Sequence, residues 1–255
     1  MINAAKGNCL RVKAVLFDLF DTLLLVEGGE AFYTPCLQRL HKFLTENGCV
    51  DVSFEEFRKV YFEVRDALYA EANKNLEEPH FNVRVWKTLQ RLGYDYNFSD
   101  AIIVKATECF AKGFMNYVRP DEDAASVLQW LYGKYKIGIV SNLAIPECVW
   151  KLLEKYNLKR FFDVVVISAE VNKRKPSPEI FQKALKSLNV APSEAVFVGD
   201  TPSMDIEGAK NVGMKAILIL RRTSATDTAK PTSTTVKPDA IVKSLKELPK
   251  IIGDC

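Results

Sequence analysis

Unbroken apolar runs constrain this chain more than any other feature. Five of them, KAVLFD (13–18), KIGIVS (136–141), DVVVIS (163–168), AVFVGD (195–200) and KAILIL (215–220), are short and rich in β-branched residues, and a weaker DAIV follows at 239–242. Their middles are apolar throughout instead of alternating, which is the pattern of a strand covered on both faces. Between them lie segments of helical spacing: Ala124 to Leu131, Ile145 to Tyr156, Pro178 to Leu188 and Met204 to Val212. Strands alternating with helices in this order argue for an α/β fold on a parallel sheet. Ligands of such sheets bind beyond the carboxyl ends of the strands, and three of these runs end in a residue able to do chemistry: Asp18, Ser141 and Asp200. Converging strand ends would bring them into one crevice.

The stretch from about Val26 to Val118 breaks the alternation. Its periodic segments, Tyr33 to Leu44, Phe54 to Ala72, Val83 to Leu92 and Ala101 to Phe114, predict an inserted helical domain, so that residues 12–25 and 119–255 form a core and 26–118 a cap. The aromatic stripe Phe54, Phe57, Tyr61, Phe62 and Tyr69 suits core packing, and some of its members could equally face a substrate. Arg221 to Pro238 is rich in Ser, Thr, Lys and Pro and predicts a solvated loop before the last strand.

Composition narrows the function. With 35 basic against 32 acidic residues the net charge is +3, which leaves no electrostatic footprint for nucleic acid or a membrane surface, while small anionic substrates stay open. Cys9, Cys36, Cys49, Cys109, Cys148 and Cys255 fall at no metal-ligand or redox spacing and read as reduced thiols of a cytoplasmic protein. The N-terminal MINAAKGNCLRVK has no continuous apolar segment, and Asp18 and Asp21 interrupt the longest apolar run after it, so neither a signal peptide nor a membrane span is expected. Histidine chemistry is disfavoured with only His41 and His80 present. Oligomeric state is not encoded in any pattern of this sequence.

Four stretches carry candidate chemistry. GDTPSMD (199–205) sets Asp200 at a strand end and Asp205 five residues on; hard oxygen ligands without His or Cys suit Mg²⁺, and helix capping is the alternative use of both acids. In NKRKPSPEIF (172–181), Lys175 is either a surface charge or a pinned cation facing a bound anion. Ser141 and Asn142 offer a hydroxyl, an amide and a backbone N–H suited to anionic oxygens. VLFDLFDTLLL (15–25) ends a strand in Asp18 and adds Asp21 and Thr22 within one turn, as a nucleophile and its proton donor would be.

Together and in this order, FDLFDTLL, IVSN, KRKPSPEIF and VGDTPSMDIEGA resemble the four signature motifs of the haloacid dehalogenase superfamily, and the resemblance extends from about Lys13 to Ile252. It implies a Rossmann-like three-layer α/β/α core, a helical cap inserted after the first motif, and a nucleophilic aspartate, most often for phosphoryl transfer to water from a small phosphorylated metabolite. On this resemblance Asp18 is the nucleophile, and Thr22, Ser141, Asn142 and Lys175 contact the substrate. The implied Mg²⁺ ligands are Asp18, the backbone carbonyl of Phe20 and Asp200, with Asp205 in support.

One departure stands out. Phosphatases of the superfamily carry a second aspartate two residues after the nucleophile, as general acid and base; Phe20 occupies that position here, and Asp21 follows one step later. Asp21 either substitutes as the acid/base or stabilises the turn. Three functions follow: a Mg²⁺-dependent phosphohydrolase; a 2-haloacid dehalogenase, which works without metal and without that acid; or a non-catalytic phosphate-binding or regulatory protein of the same fold. The GD pair of Gly199 and Asp200 favours the first.

Overall fold

Burial on both faces, which the unbroken runs demand, is met by a six-stranded sheet in the computed structural model, among the described residues 10–220 and 236–253. Among the described residues the first elements are β1 (Ala14–Phe17) and β2 (Leu24–Val26), followed by α1 (Tyr33–Glu46), α2 (Phe54–Asn75), α3 (Phe81–Arg91) and α4 (Ala101–Phe114) before β3 (Val118–Pro120). There follow α5 (Ala124–Leu131), β4 (Lys136–Ser141), α6 (Pro146–Lys155), β5 (Val164–Ile167), α7 (Ser168–Val171) and α8 (Pro178–Leu188). The chain then forms β6 (Ala195–Gly199), α9 (Glu207–Asn211), β7 (Lys215–Ile219) and β8 (Ala240–Val242).

The strand order is β5-β4-β1-β6-β7-β8, and every neighbouring pair is parallel. Side chains alternate across the sheet. Val15 and Phe17 of β1 enter one apolar cluster with α5 and α6, through Leu128 and Leu152, whereas Ala14 and Leu16 enter a second with α8 and α9, through Phe181 and Ala209. This is the parallel α/β sheet expected from the runs and the three-layer Rossmann-like core that the resemblance implies. Because β1 sits between β4 and β6, the chain order reverses there, which opens a crevice beyond its carboxyl end. Asp18, Ser141 and Asp200 stand at that edge.

Two elements differ from expectation. The helix predicted from Met204 to Val212 starts instead as a wide π-helical turn, Pro202–Ile206, and only then tightens into α9. The cause is Asp205, whose carboxylate turns back to accept the Thr201 N–H at 2.9 Å. A short antiparallel ribbon of β2 and β3 was also not foreseen; it pairs Val26 with Val118, side by side at the two ends of the helical insertion.

Within that insertion Phe57 and Tyr61 are fully buried, and Tyr69 is exposed. Helices α1 and α4 approach closely at Gly113, where a Cβ would lie 2.9 Å from the Cys36 sulfur. Of the predicted loop Arg221 to Pro238, residues 221–235 lie outside the described residues, as do Cys9 and Cys255. Cys36, Cys49, Cys109 and Cys148 are free thiols, and among the described residues no helix is long and apolar enough to cross a membrane.

Candidate active site

Asp18 is fixed by the sheet itself: its N–H donates to the Val198 carbonyl at 2.9 Å, one step beyond the β1–β6 ladder. Its carboxylate accepts from Lys175 Nζ at 2.5 Å, and the same ammonium donates to Asp205 at 2.7 Å. All three groups are withdrawn from water, with relative exposures of 7% for Asp18, 2% for Lys175 and 1% for Asp205. Lys175 is not the surface charge that its neighbours in the motif suggest.

Local sequence explains its placement. Ser177 caps α8 by accepting the Glu179 N–H, and Pro178 sits in the first helical turn, so the chain before it is held in an extended approach. Asn142 clamps that approach: its Oδ1 accepts the Lys175 N–H at 2.8 Å and its Nδ2 donates to the Lys175 carbonyl at 3.2 Å. The Asn142 amide is thus engaged in positioning Lys175.

Gly199, the last residue of β6, makes room for Asp205. A Cβ there would stand 2.4 Å from the Asp205 carboxylate, nearer than any side chain tolerates. Asp18, Asp200 and Asp205 consequently gather, with one oxygen from each within 4.8 Å of the others.

Three carboxylates around one ammonium leave an excess of negative charge. Burial pushes the Asp18 carboxyl up to about 7, against the pull of Lys175 and with the added repulsion of Asp205. Asp200 is raised to about 8 by burial and then by the charges of Asp18, Asp205 and Asp21. Lys175 is raised for a different reason: burial would lower its pKa, but the two carboxylates it contacts outweigh that and hold it above the usual range. A hard divalent cation satisfies such a donor set, since oxygen ligands carrying net negative charge are what Mg²⁺ takes.

The remaining predicted residues are placed as follows. Ser141 ends β4 fully buried, and its hydroxyl has no hydrogen-bond partner among the described residues. Thr22 is fully buried in the turn after β1. Phe20 packs its ring on Phe114 of α4 at 5.6 Å between centroids. Asp21 takes a positive φ of 56°, and its carboxylate accepts the Val26 N–H at 3.1 Å, so it stands apart from the three gathered acids while its charge is still felt at Asp200. Sequence reasoning passed over Glu78, Arg84 and Arg174, which line a cavity beside Asn142. A signal existed for Arg84: it falls on the buried stripe of α3 with Phe81, Val85, Thr88 and Leu89.

Comparison with known proteins agrees with this geometry. The family described as haloacid dehalogenase-like hydrolase matches residues 15–219. The chain belongs to that family. A glyceraldehyde 3-phosphate phosphatase of Methanopyrus kandleri is 32% identical over 213 residues, which is 82% of this chain and 84% of that protein. Among solved structures, a 2-haloacid dehalogenase from Pseudomonas syringae pv. Tomato superposes with a TM-score of 0.70 at 25% identity, covering 94% of this chain and 97% of that one. A HAD phosphatase from Thermococcus onnurineus gives 0.62 at 28% identity, over 94% and 97%. Within this haloacid dehalogenase-like family the chain is a hydrolase of the phosphatase type.

Proposed function

We propose that the protein is a Mg²⁺-dependent phosphohydrolase that acts on a small phosphorylated metabolite through an aspartyl-phosphate at Asp18. The observation that carries this reading is the gathering of Asp18, Asp200 and Asp205 around Lys175, a donor set with more negative charge than one lysine balances. Asp18, the carbonyl of Phe20 and Asp200 would hold Mg²⁺ with support from Asp205, and the bound ion would offset the repulsion between carboxylate and phosphate dianion, which amounts to several kcal/mol at an effective dielectric near 20.

The chain's own residues do the rest. Lys175 orients the Asp18 carboxylate and neutralises charge on the phosphoryl oxygens, while the Ser141 hydroxyl, without a hydrogen-bond partner among the described residues, donates to one of them. An Asp18 oxygen attacks phosphorus as the ester P–O bond breaks; water then attacks the acyl phosphate, releasing phosphate and restoring the carboxylate. Phe20 holds no proton to give, and the Asp21 carboxylate is occupied with the Val26 N–H, so we assign Asp21 to the turn. Lack of a placed general acid costs a factor of roughly 10² to 10⁴, and least for leaving groups that depart unprotonated. Residues 26–118 would act as the cap over this site, and the free thiols fit a cytoplasmic setting.

Hydrolysis of p-nitrophenyl phosphate is the test. It should require Mg²⁺ and disappear in Asp18→Asn. The dehalogenase alternative has one observation in its favour, the apolar Phe20 at the acid's position packed on Phe114. Chloride release from 2-chloropropionate in EDTA would establish it instead. Neither activity, alongside thermal stabilisation by Mg²⁺ with phosphate analogues, would mark a binding protein.

A further inference from the structure

A cavity of about 180 Å³ opens beside the reaction centre. Asn142, which clamps Lys175, and Phe114, which packs on Phe20, both line it. Tyr33, Tyr69 and Phe81 form much of its aromatic wall, and its charged lining, among the described residues, consists of Glu78, Arg84 and Arg174.

Arg84 is the unusual member. It is 7% exposed, an arginine on the inner face of a helix where apolar residues otherwise stand. Its guanidinium lies 5.0 Å from the Tyr69 ring centroid and 5.1 Å from that of Phe81, and Nη1 donates to the Tyr33 hydroxyl at 2.7 Å. The Nε–H is buried with no hydrogen-bond partner among the described residues. Buried cations are ordinarily matched by a carboxylate. The nearby carboxylate, Glu78, pairs instead with Arg174 at 3.4 Å. Burial raises the Glu78 carboxyl, and the charges of Arg174 and then Arg84 oppose that rise, so all three groups share one field. Two guanidiniums against one carboxylate leave the cavity with an uncompensated positive charge in a desolvated wall.

We propose that this cavity receives the leaving group of the substrate, and that Arg84 together with Arg174 selects phosphomonoesters whose alcohol carries a carboxylate, that is, small phosphorylated hydroxy acids. The inference rests on the phosphohydrolase reading. A carboxylate matches the planar fork of a guanidinium, and at a guanidinium as buried as that of Arg84 such a charge-assisted bond is stronger than in solvent. The room available, about 180 Å³, accommodates a leaving group of a few carbons. The aromatic rings hold Arg84 flat without supplying an anion, which leaves that task to the ligand.

The test compares two substrates that differ only in this group: 2-phosphoglycolate and 2-hydroxyethyl phosphate, assayed with Mg²⁺. The wild-type protein should favour the acid by about tenfold or more in kcat/KM, chiefly through KM, as expected for one charge-assisted hydrogen bond. Arg84→Met should bring the ratio to within about threefold of unity, and Arg84→Lys, which keeps the charge and loses the fork, should fall between. Taking the ratio within each protein cancels any general loss of fold or chemistry. If Arg84→Met fails to melt cooperatively, Arg174→Gln must lower the ratio in its place. Absence of preference in the wild type, or a preference that survives in the variants, overturns the proposal. Hydrolysis of p-nitrophenyl phosphate that is lost in Asp18→Asn would leave the phosphohydrolase reading standing in that event; no hydrolysis of any phosphate ester would overturn both.

Discussion

The Ser141 hydroxyl is fully buried and lacks a hydrogen-bond partner among the described residues, at a depth where an unmet polar group costs about 1 to 3 kcal/mol. A residue kept for the fold would be apolar there. Ser141→Ala should therefore leave the melting temperature unchanged or slightly raised while kcat on an aryl phosphate falls by roughly 10², the loss typical of one donor to a developing anion. A drop in stability with kcat intact would instead give the hydroxyl a structural role. Asp18, Ser141, Lys175 and Asp205 were legible as candidates because each sits in a short motif next to a strand end or helix start. Arg84 was not, because a lone arginine in a helical stretch reads as a solvated face until its phase against Phe81, Val85 and Leu89 is followed. The conformation of Asp21 was hidden for another reason: a positive φ is set by the turn as a whole, and no single residue type announces it.

At the scale of elements, the π-helical turn after β6 does what a regular helix would not. It carries Asp205 back toward Lys175 and Thr201, and it depends on a glycine at the end of the strand. Gly199→Ala would put a Cβ 2.4 Å from the Asp205 carboxylate, with the β6 backbone on one side and the lysine pair on the other. Overpacking of this kind costs about 1 to 3 kcal/mol, and here the strain falls on a cluster acid. Thermal melts should show that loss, and Mg²⁺ titrations should show weaker binding than wild type; Mg²⁺ affinity equal to wild type would mean that Asp205 does not support the ion. The core strands were readable because a run buried on both faces has a composition of its own. The β2–β3 ribbon was not, since three residues per strand carry no period and the pairing of Val26 with Val118 spans the whole insertion. The helix predicted from Met204 erred for a related reason: periodicity reports which residues face inward, and a turn widened by one carboxylate leaves that pattern almost intact.

For the whole molecule, the acidic cluster links stability to both proton and metal. Without metal, Asp18 and Asp200 titrate near 7 and 8 in the folded protein, against an ordinary 3.8 in an unfolded chain. At these two acids the folded state therefore binds more protons between those limits, so their contribution to stability falls as pH rises from about 4 to about 8. Mg²⁺ acts in the opposite sense, because it pairs with the ionised carboxylates and must displace protons from neutral ones. At a hundredfold excess over its dissociation constant a ligand adds about 2.7 kcal/mol, which in a chain of this size raises the melting temperature by roughly 5 to 10 °C. The rise should be near its full extent at pH 8.5 and small at pH 5.5, and in Asp200→Asn it should be reduced at both. Melting curves in EDTA and in Mg²⁺ at the two pH values decide the matter. An increment independent of pH would show that the ion binds away from these acids, whereas one that grows with pH and depends on Asp200 ties the buried charge, the metal and the fold to a single site.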